Sequence, residues 1–411
     1  MPRLFSALLL LVASFPAGLC VAAEFNIGEY RALSLLGEAR LLPDTDYVSF
    51  AGDFGFSRRL PPTEAIRQHL AFESKLLANF HLSVINLEFM LPGFTGQQID
   101  RQIDELVVDA LQRAGYDVIS RANNHALDYG PEGVRYNKAK LGAAGFQMIG
   151  TRDYPVYDWQ AGAYRIAIYA VTDYADREDS EGLVLKVNSP DLSLIKEKSF
   201  DADFRVAFIH LGSVSVFPSP HEREQVKRLI SAGADLVVCT GSHFTKGFVM
   251  ENGKPVVYGL GNHLFSYIGP DTEPIGMHLV AGFKAGELAQ LFVIPFQNAV
   301  MKGRTGPPDE ATFATFRKTF LERSTTDTSS YFSDSRSLRK LKERLLRLSN
   351  SGLGDLKPRH VVYAIGIVLY HYSIVVIAGS ALVLLSVVLF LRRRVLSRRS
   401  KNRDEATPTA L

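Results

Sequence analysis

Five short apolar runs in this chain each stop at a side chain able to hold a ligand or move a proton, and that succession constrains the fold more than any other feature. Tyr47–Ala51 runs into Gly52-Asp53, and Leu82–Ile85 into Asn86-Leu87-Glu88. Val118-Ile119 leads to Asn123-Asn124-His125, with Asp128 and Gly130 just beyond. Phe204–Ile209 ends at His210, and Asp235–Cys239 at Gly241-Ser242-His243. Pro255–Tyr258, followed by Gly261-Asn262-His263, reads as a sixth ending. Such runs, rich in β-branched and aromatic residues, predict strands. Helical stretches alternate with them: about Glu64 to Asn79 with Thr63 as a cap, Asp104 to Ala114, about Pro131 to Ala144 stopped at Gly145, and His221 to Ala232 stopped at Gly233. A late hairpin is expected over Leu279–Lys284 and Ala289–Phe296. Strands alternating with helices predict an α/β fold with the helices outside. Its ligands bind at the carboxyl ends of the strands.

One polar strand end is an ordinary turn, with Asn and Asp bonding their own backbone. Five in succession point to convergence. The converged set would be carboxylate (Asp53), carboxylate (Glu88), amide (Asn124), imidazole (His210) and imidazole (His243), a mixture suited to Mn²⁺, Zn²⁺ or Fe²⁺. His263 could add an imidazole; a core or surface histidine is the other reading of it.

The ends of the 411-residue chain read differently from its body. Residues 1–23 have the form of a secretory signal: Arg3, an apolar stretch from Leu4 to Phe15, and Val21-Ala22-Ala23 for cleavage, with an uncleaved anchor as the alternative. Val361 to Leu391 carries no Asp, Glu, Lys or Arg, and about 20 apolar residues span a bilayer. Arg392-Arg393-Arg394, with Arg398, Arg399, Lys401 and Arg403, makes the tail at 392–411 cytoplasmic. The expectation is therefore a single-pass protein of a bacterial cell membrane, its body at 24–302 outside the cytoplasm. A basic helical stalk is expected at 303–358, including helices from Phe313 to Arg323 and from Ser337 to Leu348. The second of these could lie on anionic lipid or touch an anionic polymer, or simply be solvated. A net charge of +3 speaks against a dedicated nucleic-acid binder. Cys239 would be the one cysteine left after signal cleavage, which rules out an intramolecular disulfide framework in the mature chain.

The motifs as an ordered set resemble the CapA proteins of capsule and poly-γ-glutamate synthesis, a branch of the calcineurin-like metallophosphoesterase superfamily. The matching pieces are Gly52-Asp53-Phe54-Gly55-Phe56-Ser57-Arg58, Asn86-Leu87-Glu88, Asn123 through Gly130, His210-Leu211-Gly212, Gly233 through Val238, and Gly253 through Asn262, across about residues 46–298. The resemblance implies a four-layer αββα sandwich with a two-metal cleft. Asp53 and His243 would close the first site, Glu88 would bridge, and Asn124 and His210 would hold the second metal. His125, oriented by Asp128, would protonate a leaving oxygen. Arg58 would meet an anionic substrate, although Arg59 beside it also fits a solvated basic turn.

The chain departs from that pattern at two motifs. Cys239-Thr240-Gly241-Ser242-His243 stands where the family has Gly-His-x-Pro-His, and His210-Leu211-Gly212-Ser213-Val214 where it has His-Trp-Gly-x-Glu. Each metal is left with about three protein ligands, so one or two metals fit. The implied function is to assist synthesis, release or export of an anionic polymer (poly-γ-glutamate or polysaccharide) beside capsule-biosynthesis membrane proteins, with metal-dependent hydrolysis left open. A non-catalytic polymer-binding or scaffolding subunit, and an envelope metallophosphodiesterase, are the alternatives.

Overall fold

Side chains of a strand point alternately to its two faces, so each strand here feeds two cores. The computed structural model describes residues 23–55, 63–174, 178–211, 216–265, 274–299 and 302–324. In chain order the elements are β1 (Ala23–Ile27), β2 (Tyr30–Leu36), β3 (Asp46–Gly55), α1 (Thr63–Leu77), β4 (Leu82–Leu87), α2 (Gln98–Ala114), β5 (Val118–Ser120), α3 (Gly130–Ala143), β6 (Gln147–Ile149), β7 (Tyr157–Ala161) and β8 (Tyr164–Thr172). They continue with α4 (Ser189–Lys198), β9 (Phe204–His210), α5 (Pro220–Ser231), β10 (Leu236–Thr240), β11 (Phe248–Glu251), β12 (Lys254–Val257), β13 (Asn262–Phe265), β14 (Ile275–Lys284), β15 (Glu287–Gln297) and α6 (Glu310–Arg323).

Two sheets result. The first has the order β1-β2-β15-β14-β3-β4-β5-β6, with β13 also paired to β3; the second has the order β11-β12-β10-β9-β8-β7. Strands β3, β4, β5 and β6 are mutually parallel, as are β8, β9, β10 and β12. Parallel pairing brings their carboxyl ends to one edge of each sheet.

Burial shows the layering. Val48, Phe50, Val84 and Val118 of the first sheet share one cluster with Ile166, Ile168, Val206, Phe208, Leu236 and Val238 of the second. The rings of Phe50 and Phe208 meet across the gap at 5.8 Å. The alternate residues Ala51, Ile85 and Ile119 pack against Ile66 of α1, Val107 and Leu111 of α2, and Leu141 of α3. Tyr169, Ala207, Ile209 and Val237 pack against Ile195 of α4 and Val226 and Leu229 of α5. The order of layers is helices, sheet, sheet, helices, as the α/β reading expects.

Several boundaries differ from expectation. Strand β3 continues to Gly55, so Asp53 lies inside it, paired on both sides by Asn86 and Asn262. Helix α2 starts at Gln98, six residues before the expected Asp104. Strands β1, β2 and β7 and helix α4 carried no sequence signal strong enough to place them. The segment expected to open a stalk at 303 includes α6, whose Phe313, Phe316 and Phe320 are buried in the core between the sheets. Phenylalanines at i, i+3 and i+7 make an apolar stripe that the many basic residues of the segment obscure. The compact unit accordingly includes α6. No helix among the described residues is long and apolar enough to cross a membrane. Residues 1–22, Arg58, the helix expected from Ser337 to Leu348, the apolar run at 361–391 and the basic tail lie outside the described residues.

Candidate metal centre

The carboxyl ends of β3 and β4 on one sheet face those of β9 and β10 on the other. Close passage of β13 beside β3 depends on Gly52: a Cβ there would lie 2.0 Å from the Gly261 carbonyl oxygen. The Asp53 carboxylate, fully buried, ties the two sheets together. Its Oδ1 accepts from Asn86 Nδ2 at 2.8 Å, and its Oδ2 accepts from the Gly241 amide after β10 at 2.9 Å. Burial pushes this carboxyl up, but His210, His243 and the Asn86 amide outweigh burial and hold it below the usual carboxylate range.

Glu88 follows β4 and is buried. Its Oε1 is 3.7 Å from His210 Nε2, 3.9 Å from His243 Nε2 and 4.0 Å from His125 Nε2. His243 Nδ1 in turn lies 3.7 Å from Asp53 Oδ2. One ligand atom each from Asp53, Glu88 and His243 falls within 4.8 Å of the others. Two carboxylates and an imidazole at such separations fit a divalent cation of borderline softness.

His210 sits differently. Its Nδ1 accepts from Asn86 Nδ2 at 3.0 Å, and the same amide serves Asp53. Asn86 is locked in that orientation because its Oδ1 accepts from Asn123 Nδ2 at 3.2 Å. His210 Nε2 faces Glu88 Oε1 at 3.7 Å, beyond direct hydrogen-bond reach.

The turn after β5 places the remaining expected residues. Asn124 is buried at its start, and His125 stands half-exposed in its first turn. His125 Nδ1 is 2.9 Å from Asp128 Oδ2, so that Nδ1–H donates and Nε2 keeps its lone pair on the cleft side. Arg121 supports the floor: its guanidinium donates to the carbonyls of Leu87 and Phe89 at 2.6 and 2.8 Å and so grips both sides of Glu88.

The structure thus brings together Asp53, Glu88, His125, His210 and His243. His263 does not join them. It lies on the opposite face of the sheet, with its Nε2 3.1 Å from His69 Nε2. The residues that sequence reasoning missed are the connecting amides. Asn86 and Asn123 were visible inside the strand-end motifs, and Asn262 accepts from His243 Nδ1 at 2.8 Å. Their signal was position, one strand end beside another, and not residue chemistry.

Residues 47–267, more than half of the chain, match the family described as bacterial capsule synthesis protein PGA_cap. The PGA biosynthesis protein CapA of Bacillus subtilis (strain 168) is 25% identical over 186 residues, which is 41% of this chain and 48% of that protein. The capsule biosynthesis protein CapA of Bacillus anthracis is 28% identical over 192 residues, 41% of this chain and 46% of that protein. The chain spans about half the length of these curated relatives. Among solved structures, 5'-nucleotidase from Candida albicans SC5314 aligns at a TM-score of 0.39 and 12% identity, over 71% of this chain and 59% of that one.

Proposed function

The chain belongs to the bacterial capsule synthesis protein (PGA_cap) family, and from that premise we propose that it assists synthesis, release or export of an anionic surface polymer by metal-dependent hydrolysis at the Asp53–Glu88–His243 cleft. The observation that carries the hydrolytic reading is the meeting of two buried carboxylates with three imidazoles from five separate strand ends. Asp53, Glu88 and His243 would hold one divalent cation; a second, with Asn124, is the fuller form of the same centre. Such a cation supplies Lewis acidity toward a substrate oxygen and makes nearby water more acidic. His125, held by Asp128, offers Nε2 for proton transfer to or from the cleaved group. His210 Nε2, 3.7 Å from Glu88, would face the second cation. Membrane anchoring by Val361 to Leu391, with the body on the extracytoplasmic side, is part of the same proposal and would set the cleft beside a nascent polymer.

A second reading is favoured by one contact. Asn86 bonds both Asp53 and His210, so the second site is partly satisfied by protein groups alone, as in a non-catalytic polymer-binding subunit.

The two readings separate in one experiment on the full chain and on cells that lack it. Divalent-metal content, cleavage of phosphodiesters and of poly-γ-glutamate, and surface polymer yield are compared for wild type, Glu88→Gln and His125→Ala. Hydrolysis requires that Glu88→Gln lose metal, and that His125→Ala keep metal yet lose about 10²–10⁴-fold in turnover. Normal polymer yield from both variants, in cells where deletion abolishes it, would establish the binding subunit instead.

A further inference from the structure

Helix α1 covers the outer face of the first sheet, and under it lies a second group of ligand-type side chains. His69 and Glu73 are four residues apart on α1 and so share its sheet-facing side. His263 of β13 and His278 of β14 rise toward them from the sheet, and Tyr116, beyond the end of α2, closes the side. His69, Glu73, His263 and His278 are all at most 1% exposed in their side chains. This group is separate from the strand-end cleft, since β13 presents Asn262 to the cleft and His263 to α1.

We propose that His69, Glu73 and His263 form a closed structural site for a single divalent cation of the zinc class. His69 Nε2 and His263 Nε2 are 3.1 Å apart, His263 Nε2 and Glu73 Oε2 are 3.4 Å apart, and His69 Nε2 and Glu73 Oε1 are 3.7 Å apart. Zinc–nitrogen bonds of about 2.0–2.1 Å in a tetrahedron set its ligand atoms about 3.3 Å from one another. The separations are close to that value, with Glu73 meeting His263 through Oε2 and His69 through Oε1, and one ligand atom from each of the three residues falls within 4.8 Å of the others. Tyr116 Oη lies 3.1 Å from His263 Nε2 and 2.8 Å from Glu73 Oε2 and closes the group on that side.

A ligated histidine normally bonds its outer nitrogen to an oxygen; His69 does so, while His263 Nδ1 is buried and meets no partner among the described residues. His69 Nδ1 is 2.8 Å from Thr305 Oγ1, which turns Nε2 inward. His278 is a positioning residue: its Nε2 is 3.2 Å from Glu73 Oε1, and its Nδ1 is 3.0 Å from Ser49 Oγ. Two imidazoles with one carboxylate select zinc-like cations over magnesium or calcium. With no water-facing side, the site would serve as a cross-link of α1 to β13. That strand also carries Asn262, the hydrogen-bond partner of His243.

The test counts zinc in the full chain after refolding with Zn²⁺ and prolonged dialysis against a chelator. The Glu88→Gln/His243→Ala double variant removes the strand-end centre and isolates the proposed one. It should keep about one equivalent of zinc, and refolding with Co²⁺ should give the visible bands of a tetrahedral ion. His278→Gln should keep the zinc and release it faster. His69→Gln and His263→Gln should lose it while the strand-end centre still binds metal. A folded Glu88→Gln/His243→Ala protein holding no zinc overturns the proposal, whatever the His69 and His263 variants do. It would leave a hydrogen-bonded core cluster in place of a metal site, without touching the proposal for the cleft.

Discussion

Removing the buried ammonium of Lys246 should destabilise the body by about 3 kcal/mol and weaken metal binding in the cleft at the same time. Lys246 and Glu222 are both fully buried, and Nζ donates to Glu222 Oε1 at 2.5 Å. Burial pushes the ammonium below its usual range, and the Glu222 carboxylate offsets part of that. Breaking such a pair costs about 3–5 kcal/mol, because the remaining charge is stranded in the interior. The lower end applies here, since Glu222 Oε2 still accepts from the Ser219 amide in the α5 capping box. Lys246→Met keeps the length of the stem, so the loss reports charge and not a cavity. Glu222→Gln should also destabilise the body, by removing the carboxylate that faces the buried ammonium. The double variant should cost far less than the two together, with a coupling of about 2 kcal/mol. Trp159, the single tryptophan, is buried on β7 and reports urea unfolding by fluorescence. The functional effect follows from the loop. Residues 241–247 carry His243 at a left-handed φ of 57°, and Lys246 anchors that loop to α5. Lys246→Met should therefore raise the metal dissociation constant of the cleft, and Lys246→Met/Glu222→Gln should restore part of it. Additive single costs, with coupling under about 0.5 kcal/mol, would refute the account.

Three further outcomes are expected. Gly241 has φ 88°, and a Cβ there would lie 2.5 Å from the Leu211 carbonyl oxygen and 2.9 Å from His210 Nε2; Gly241→Ala should cost more than the roughly 1–2 kcal/mol of the left-handed backbone alone, read by thermal melting, and should also depress metal binding. Phe316→Ala on α6 should cost about 3–5 kcal/mol in urea, whereas a value under about 1 kcal/mol would show that α6 is peripheral to the core. Burial, partly offset by Glu73, holds the His69 imidazole at about 4 against an ordinary 6.5. In chelated protein the unfolded chain takes up that proton first as pH falls through 6.5, so stability should drop by about 3 kcal/mol between pH 6.5 and 4, and His69→Gln should remove that share of the slope.

Strand–helix alternation and the polar strand ends were legible because they are local patterns of period and position. Asp53, Glu88, His210 and His243 could be picked out from the chain alone, and the structure gathers them. The connecting amides were not legible: nothing in the run Asn86-Leu87-Glu88 says that Asn86 will face Asp53 across β3 and β4 and so occupy His210 as well. That pairing is set by register, a property of two strands. Strands β1 and β2 were hidden because a seven-residue run such as Tyr30–Leu36 lacks clean alternation; four consecutive residues, Ala32 to Leu35, are buried. Helix α6 was misassigned because basic residues were weighed above a stripe of three phenylalanines.

The same limit governs His263. Its neighbour Asn262 serves the cleft, and the sequence left His263 open between a further cleft imidazole and a core histidine. Alternation along β13 decides for the core, sending adjacent side chains to opposite faces. From the chain alone, His69 and Glu73 at a spacing of four looked like any helix face, and His278 like one strand residue among many. Only the superposition of α1 on β13 and β14 makes them a group, since the contacts span 194 and 205 residues. Strand β13 therefore touches both clusters through adjacent residues, and β3 touches both through Asp53 and Ser49, four residues apart. A perturbation confined to His263 should reach His243 through a single peptide step and the Asn262 bond, whereas one at His278 must travel along β3 from Ser49 or pass through Glu73. Cleft metal affinity should therefore fall more in His263→Gln than in His278→Gln, and the reverse order would place the coupling between the clusters elsewhere than β13.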